Sequence, residues 1–215
     1  MAELVAVPAR NVVKMPDNMS FEIGAFIEPM ACVVHAMNRL QLQVGTSVLL
    51  FGAGAMGQQL VQSLSRAGAS TLAVVDVSEN KLELSKTLGA THAIFSHELY
   101  QLESQQFDVV VDATGIPSVI EQAFDYMGPT AKYLQFGVTA QSAQIRMSPF
   151  RLYNKDWTIL GSMAINYTFL PAFEWVKEGR IKLEPLISKI ITLEETAKFL
   201  AKSKDPELLK VQIKL

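Results

Sequence analysis

Val48-Leu49-Leu50-Phe51-Gly52-Ala53-Gly54-Ala55-Met56-Gly57 decides the fold. Four apolar residues run straight into a glycine turn. The residues after the turn take up helical spacing, with Leu60, Val61, Leu64 and Ala67 on one face. A second apolar run, Leu72-Ala73-Val74-Val75, ends at Asp76, nineteen residues beyond Gly57. Strand, glycine turn, helix, strand and terminal acid, in that order, make the complete dinucleotide-binding arrangement. Each part has a mechanical reason. Gly52 lets the chain turn sharply out of the strand, Gly54 leaves room for a pyrophosphate against the backbone, and Gly57 lets the helix pack closely on the sheet. The helix N-terminus offers free N–H groups and a partial positive charge to the phosphates. The Asp76 carboxylate can accept from the adenosine ribose hydroxyls and would repel a 2′-phosphate, so the expected cofactor is NAD(H) rather than NADP(H).

Strands and helices go on alternating past this unit. Ser78 precedes a helical stretch with Leu82, Leu84 and Leu88 as apolar positions and Gly89 as its stop. Thr91 to Phe95 predicts a third strand and Phe107 to Asp112 a fourth, ended by Ala113-Thr114-Gly115. A helix is expected over Ile116 to Met127, broken by Gly128-Pro129, and then a fifth strand over Lys132 to Phe136. Trp157 to Leu160 predicts a sixth strand, ended by Gly161. Repeated strand–helix units with short connections imply an α/β fold with a doubly wound, parallel, six-stranded sheet. The ends read differently. Leu4 to Val7 and Asn11 to Lys14 suggest strand pieces around Pro8, and Phe21 to Leu40 a helix interrupted at Pro29. After Gly161 the spacing predicts a helix over Phe169 to Lys177, a strand over Leu186 to Ile191, a helix over Glu194 to Ala201 and a last strand over Leu209 to Leu215. The expected division is therefore residues 1–28 as one flank, 29–162 as the nucleotide-binding domain, and 163–215 as the returning flank.

Composition narrows the function classes. With 49% hydrophobic and 19% charged residues, a packed core is expected and disorder is not. A formal net charge of −2 without a basic block argues against a nucleic-acid footprint. No apolar run is long enough for a membrane span, and residues 1–14 lack the pattern of a secretory signal. The single cysteine, Cys32, rules out a disulfide within the chain and fits a reducing, cytoplasmic setting.

Several short motifs now fall in one order: Val7-Pro8-Ala9-Arg10, Pro16-Asp17, Ile27-Glu28-Pro29-Met30-Ala31-Cys32, Gly52 to Gly57, Asp76, Asp112-Ala113-Thr114-Gly115, and Pro185-Leu186-Ile187-Ser188. On them the chain resembles the zinc-type medium-chain alcohol and polyol dehydrogenases, near the sorbitol and threonine dehydrogenase branch. The resemblance covers essentially the whole chain. It implies a Rossmann domain flanked by remnants of a GroES-like catalytic domain, most of which would precede Met1 and carry the cysteine and histidine that bind the catalytic zinc. It implies that Met56 touches the cofactor backbone and that Asp76 binds the ribose with Lys81 beside it. By the same resemblance Thr114 and Gly115 line the cleft, Phe136, Gly137 and Val138 approach the nicotinamide half, and Ser162, Met163 and Ala164 lie near the carboxamide. Glu28 matches the acid that faces zinc in polyol-type members, directly or through water. The family reaction is hydride transfer between a secondary alcohol or polyol and NAD, and its members form homodimers or tetramers by joining their sixth strands. One departure counts against a strict sorbitol assignment: Met163-Ala164-Ile165-Asn166 has no arginine where sorbitol dehydrogenases carry one.

Other chemistry-bearing residues have plainer readings. Cys32 and His35 share a helix face with Glu28 a turn away, but a catalytic zinc needs three protein ligands and a dry cleft, so a half-buried packing helix is preferred. His92 and His97 read as surface residues, Trp157 and Trp175 as packing. Lys81 is either a solvated helical lysine or a ribose contact. The expectation is the NAD(H)-binding portion of a zinc-dependent dehydrogenase, with metal ligands not supplied by this chain. The alternatives are a non-catalytic nucleotide-binding or dimerisation module, and one half of a complemented enzyme.

Overall fold

The computed structural model describes residues 2, 4–102, 104–202 and 205–215. A one-turn helix, α1 (Phe21–Gly24), and a longer one, α2 (Ile27–Leu40), precede the sheet. The alternating part follows: β1 (Ser47–Phe51), α3 (Ala55–Arg66), β2 (Thr71–Asp76), α4 (Glu79–Leu88), β3 (His92–Phe95), β4 (Phe107–Asp112), α5 (Pro117–Ala123), β5 (Met127–Gln135), α6 (Pro149–Asn154) and β6 (Thr158–Gly161). The chain ends with α7 (Phe169–Lys177), β7 (Ile187–Thr192), α8 (Leu193–Leu200) and β8 (Lys210–Lys214). The six central strands are parallel and lie in the order β3-β2-β1-β4-β5-β6, while β7 and β8 form a separate parallel pair. This is the doubly wound order expected of a Rossmann sheet, and its direction reverses between β1 and β4.

Strand period sorts the core into two layers. Val48, Leu50, Leu72, Val74, Val109 and Val111 face one cluster with Leu60, Val61 and Leu64 of α3, Met30 and Val33 of α2, and Phe173 of α7. Their neighbours Leu49, Phe51, Ala73, Val75 and Val110 face the other, with Leu99, Leu102, Ile120, Phe124 and Trp157. Side chains that alternate between two buried faces are what a parallel sheet covered on both sides requires. At the start of the central pair, Asp108 Oδ2 accepts from the Ser47 N–H at 2.8 Å and the Ser47 hydroxyl at 2.7 Å, which pins β1 to β4 beyond the ladder.

Several local expectations need correction. Leu4 to Val7 and Asn11 to Lys14 form no strands. Leu4 and Val5 are 91% and 79% exposed, and only a 3-10 turn at Ala9–Asn11 intervenes. An extended segment with no neighbour to pair with has no ladder. Pro29 does not interrupt the helix. It sits in the first turn of α2, where a missing N–H costs no intrahelical bond; the break falls at Ala25–Phe26. Gly128-Pro129 does not precede the fifth strand but lies inside it. β5 pairs Met127 with Phe107, then resumes at Lys132 with Val109. The bulge between absorbs the donor-less proline and Thr130 at φ 57°. The helix after Gly115 is shorter than expected: α5 ends at Ala123 and continues as a 3-10 turn, Phe124–Tyr126. The 3-10 segment Ser96–Leu102 and α6 carry too little periodicity to be read in advance. α6 is set by its Ser148 cap and Pro149 rather than by a buried face.

Leu50 is fully buried in a central strand. Leu50→Ala is therefore expected to lower unfolding free energy by about 3 kcal/mol, whereas Val77→Ala, at 75% exposure, should change it by less than about 0.5 kcal/mol. Urea unfolding followed by circular dichroism reads both.

Candidate nucleotide-binding site

The loops after β1 and β4 meet where the sheet order reverses, and a crevice outside the strand ends at that point is the expected ligand position in an open α/β sheet. Gly52 leaves β1 at φ +99°, and a Cβ on it would crowd Ala113 and Thr114 at 3.1 Å. Gly57 lies in the first turn of α3, and a Cβ there would stand 2.1 Å from the Gly52 carbonyl oxygen. Both glycines are thus demanded by the fold. Gly54 is not. Its backbone is extended (φ −66°, ψ −175°), and a Cβ on it would meet no protein atom within 4 Å. The protein itself leaves this space open, beside the unbonded N–H groups that begin α3.

Asp76 closes the loop from the side. Its Oδ2 accepts from the Ala53 N–H at 2.6 Å, and its Oδ1 accepts from the N–H groups of Val77 at 2.8 Å and Ser78 at 3.0 Å. The glycine turn and the end of β2 are therefore one unit. Gln58, fully buried on α3, ties in α4: its amide donates to the carbonyls of Ala53 at 3.1 Å and Lys81 at 2.8 Å, and its oxygen accepts from Ser85.

The second wall is organised by Asp112, which is fully buried. Its carboxylate accepts from the Thr114 N–H and hydroxyl, the Gly115 N–H and the Gln135 amide. Its carbonyl accepts from the N–H groups of Phe136 and Gly137. Gly115 and Gly137 are in close backbone contact, and Gly115 presses on Val138. Tyr133 donates to Gln135, and burial, then the Asp112 charge, push its pKa far above the usual phenol range, so it stays a donor.

Gly52, Gly54, Gly57, Asp76, Thr114, Gly115, Gly137 and Val138 thus belong to one connected rim. Met56 lies at the same turn, its sulfur 3.6 Å from the Gln59 amide nitrogen. Phe136 is half buried against the core. Beyond β6 the Ser162 hydroxyl is buried and has no hydrogen-bond partner among the described residues, while Met163 is 84% exposed and Ala164 takes φ 44°. Two expected residues have other neighbours. The Lys81 ammonium donates to the Pro206 carbonyl. Glu28 sits exposed on α2, with the Cys32 thiol 3.8 Å away. Burial first, then Glu28, raise the Cys32 pKa. His35 is on the buried face of α2, as a packing helix predicts.

Sequence reading missed Lys210, half buried on β8. Its ammonium lies 5.0 Å from the Phe26 ring centre; desolvation lowers its pKa, and Glu28 partly offsets that. It also missed Glu207, whose carboxylate accepts from Ser78 and Asn80. Neither belongs to a local motif. Each comes from the C-terminal segment, and only the fold brings it to these neighbours. Among the described residues no three His, Cys, Asp or Glu side chains lie close enough to hold a metal ion.

Comparison with known proteins bears on this geometry. The chain is 31% identical over 200 residues to D-altritol 5-dehydrogenase of Agrobacterium fabrum, covering 91% of this chain and 60% of that protein. It is 30% identical over 202 residues to galactitol 1-phosphate 5-dehydrogenase of Escherichia coli K12, covering 87% and 58%. The chain thus spans about 60% of the length of these relatives. Among solved structures, a zinc-binding dehydrogenase from Sinorhizobium meliloti bound to NADP superposes with a TM-score of 0.92 at 24% identity, over 96% of this chain and 63% of that one. A short chain alcohol dehydrogenase from Escherichia coli CFT073 complexed with NADH gives 0.87 at 24% identity, over 97% and 64%. These two likenesses carry the fold. The family model for zinc-binding dehydrogenases matches residues 55–178, more than half of the chain, and the chain belongs to that family.

Proposed function

We propose that this chain is the NAD(H)-binding portion of a dehydrogenase that oxidises a secondary alcohol or polyol by hydride transfer to NAD. The observation that carries the reading is the space at Gly54. It is open on the protein side and flanked by α3's first N–H groups and the Asp76 carboxylate. A pyrophosphate fits the first, and a ribose diol fits the second. The fold is shared by structures holding NADP and NADH, so the choice between them falls to local residues. Bound nicotinamide cofactor supplies hydride chemistry; the chain's own residues hold it and orient it. Thr114, Gly115, Phe136, Gly137 and Val138 would border the nicotinamide half, held by Asp112. The orphaned Ser162 hydroxyl would meet the carboxamide, with Met163 and Ala164 beside it. Lys81 would serve the ribose only by leaving Pro206.

The substrate class rests on the named relatives, which act on polyols or their phosphates. Residues 29–162 would form the nucleotide-binding domain, and 1–28 and 163–215 the parts belonging to a catalytic domain, where Glu28 would face substrate or metal. A groove beside β8, lined by Phe21, Ala25, Ile190, Val211 and Ile213, supports the reading in which further polypeptide completes the enzyme. A cytoplasmic setting suits a chain with one cysteine. No helix among the described residues is long and apolar enough to cross a membrane.

β6 supports self-association. Among the described residues it pairs only with β5, and Ile159 is 41% exposed. Trp157 takes no part in that edge, because it turns into the core and donates to the Gly128 carbonyl. Joining two β6 edges would make one continuous sheet and a homodimer, or a tetramer from two such pairs.

Titration by NADH fluorescence should show NADH bound at least about tenfold more tightly than NADPH, equivalent to 1.4 kcal/mol, and Asp76→Ala should narrow the gap; equal affinity would refute the Asp76 reading. Supplied with polyols, NAD and added zinc, the chain alone should show no turnover above background, and a rate of about 1 per second or more would overturn this. Sedimentation should find a dimer at micromolar concentration that Ile159→Pro abolishes by removing a ladder donor; a dimeric proline variant would count against the β6 interface.

A further inference from the structure

Ser78 touches two acids. Its N–H donates to Asp76 Oδ1 at 3.0 Å, and its hydroxyl donates to Glu207 Oε2 at 2.7 Å. The same Glu207 oxygen accepts from the Asn80 amide at 3.1 Å. Glu207 comes from the segment before β8, 129 residues away from Ser78 in sequence. The segment folds over the first turn of α4, where the Lys81 ammonium donates to the Pro206 carbonyl. Asp205 Oδ1 accepts from the Glu207 N–H at 3.0 Å and fixes the turn. Ser78 is buried, so this arrangement is built around a fixed hydroxyl rather than a mobile surface chain.

We infer that Glu207 is a second specificity-determining acid, which acts with Asp76 to exclude a 2′-phosphate from the adenosine end of the site. The inference rests on the nucleotide-binding reading of Asp76. Two effects follow from the geometry. Glu207 adds a negative charge one shared residue away from Asp76, the acid read as accepting the ribose hydroxyls. It also occupies two groups beside Asp76 that could answer a phosphate, the Ser78 hydroxyl and the Asn80 amide, while a third, Lys81, is held by the adjoining Pro206 carbonyl. The hydrogen bonds from Ser78 and Asn80, with Lys81 nearby, keep the Glu207 pKa below its ordinary value, so the charge is present at neutral pH. A ribose without the phosphate meets no such penalty, because Asp76 still accepts its hydroxyls. NADH affinity is therefore independent of Glu207.

Glu207→Gln removes the charge and keeps an acceptor for Ser78 and Asn80, so the fold is retained. Fluorescence titrations of the purified chain with NADH and NADPH are the test. The variant should bind NADPH about fivefold more tightly, the size expected of one exposed charge against a doubly charged phosphate, with NADH affinity unchanged. Asp76→Ala combined with Glu207→Gln should narrow the gap further than either change alone. In the unaltered chain, raising salt to about 0.5 M should narrow the gap between the two cofactors, because exposed charges are screened. Unchanged NADPH affinity in Glu207→Gln, alongside a narrowed gap in Asp76→Ala, overturns the role of Glu207 and leaves the Asp76 reading standing. Parallel weakening of both cofactors also overturns it, since that marks a purely structural residue. Failure of the unaltered chain to bind NADH would overturn both readings together.

Discussion

The contact between Gly57 and the Gly52 carbonyl governs the rest of the molecule. Helix α3 can begin directly after β1 only if its first turn presses onto the backbone leaving the strand. A side-chain carbon at Gly57 would overlap that carbonyl at 2.1 Å. Because the approach is so close, α3 starts right at the end of β1, and its free N–H groups lie beside the open space at Gly54. The apolar stripe of Leu60, Val61 and Leu64 is then set over Leu50 and Val74, and burial holds the helix there. Both the open space at Gly54 and the reach of Asp76 to the Ala53 N–H depend on this placement.

Buried polar groups complete what hydrophobic packing begins. Asp112 has no exposure, yet its carboxylate is saturated by Thr114, Gly115 and Gln135. A buried carboxylate without such partners would carry a large desolvation cost. Here that constraint fixes the shape of the β4 loop and joins it to the β5 loop through Gly137. Gln62 does similar work at a distance. Its amide exchanges two hydrogen bonds of 2.8 Å with the Lys182 backbone, docking the C-terminal segment onto α3. The segment that carries Glu207 and Lys210 is thereby anchored through a helix that also begins the nucleotide site.

Much of this architecture is legible in the sequence because it is local. The strand at Val48–Phe51, the glycine turn, the helix with its i, i+3, i+4 stripe and Asp76 lie within thirty residues, and their spacing has few physical solutions. Phe107–Asp112 and Phe169–Lys177 were read with the bounds observed, since each carries an unbroken apolar period. What was misread depends on partners the sequence does not display. The N-terminal apolar pieces look like strands but find none to pair with. Pro29 looks like a breaker, yet it is harmless at a helix start, where its N–H is not needed. Gly128-Pro129 looks like a boundary, yet a bulge in the pairing with β4 absorbs it. Asp112 could be seen as a strand end and a motif residue, not as a buried hub. Its saturation by four donors is a property of the fold.

The two flanks show how far a local reading can reach into a site. Lys81 follows Asp76 by five residues, and the family resemblance implies a ribose contact for it. The structure supplies a competing partner from Pro206, which no spacing rule could reveal. Glu28 has the mirror-image history. Its motif points to chemistry, but its neighbours in the structure are Cys32 and the half-buried Lys210, one on its own helix and one from the last strand. Burial lowers the Lys210 pKa, and the nearby Glu28 charge partly offsets that loss. That attraction links β8 to α2 electrostatically, beside the contact of Lys210 with the Phe26 ring. The C-terminal strand therefore brings Lys210 to Glu28 at one end, and the turn before it brings Glu207 to Ser78 at the other. A single returning segment so couples the nucleotide rim to the helix that carries the candidate substrate-facing acid.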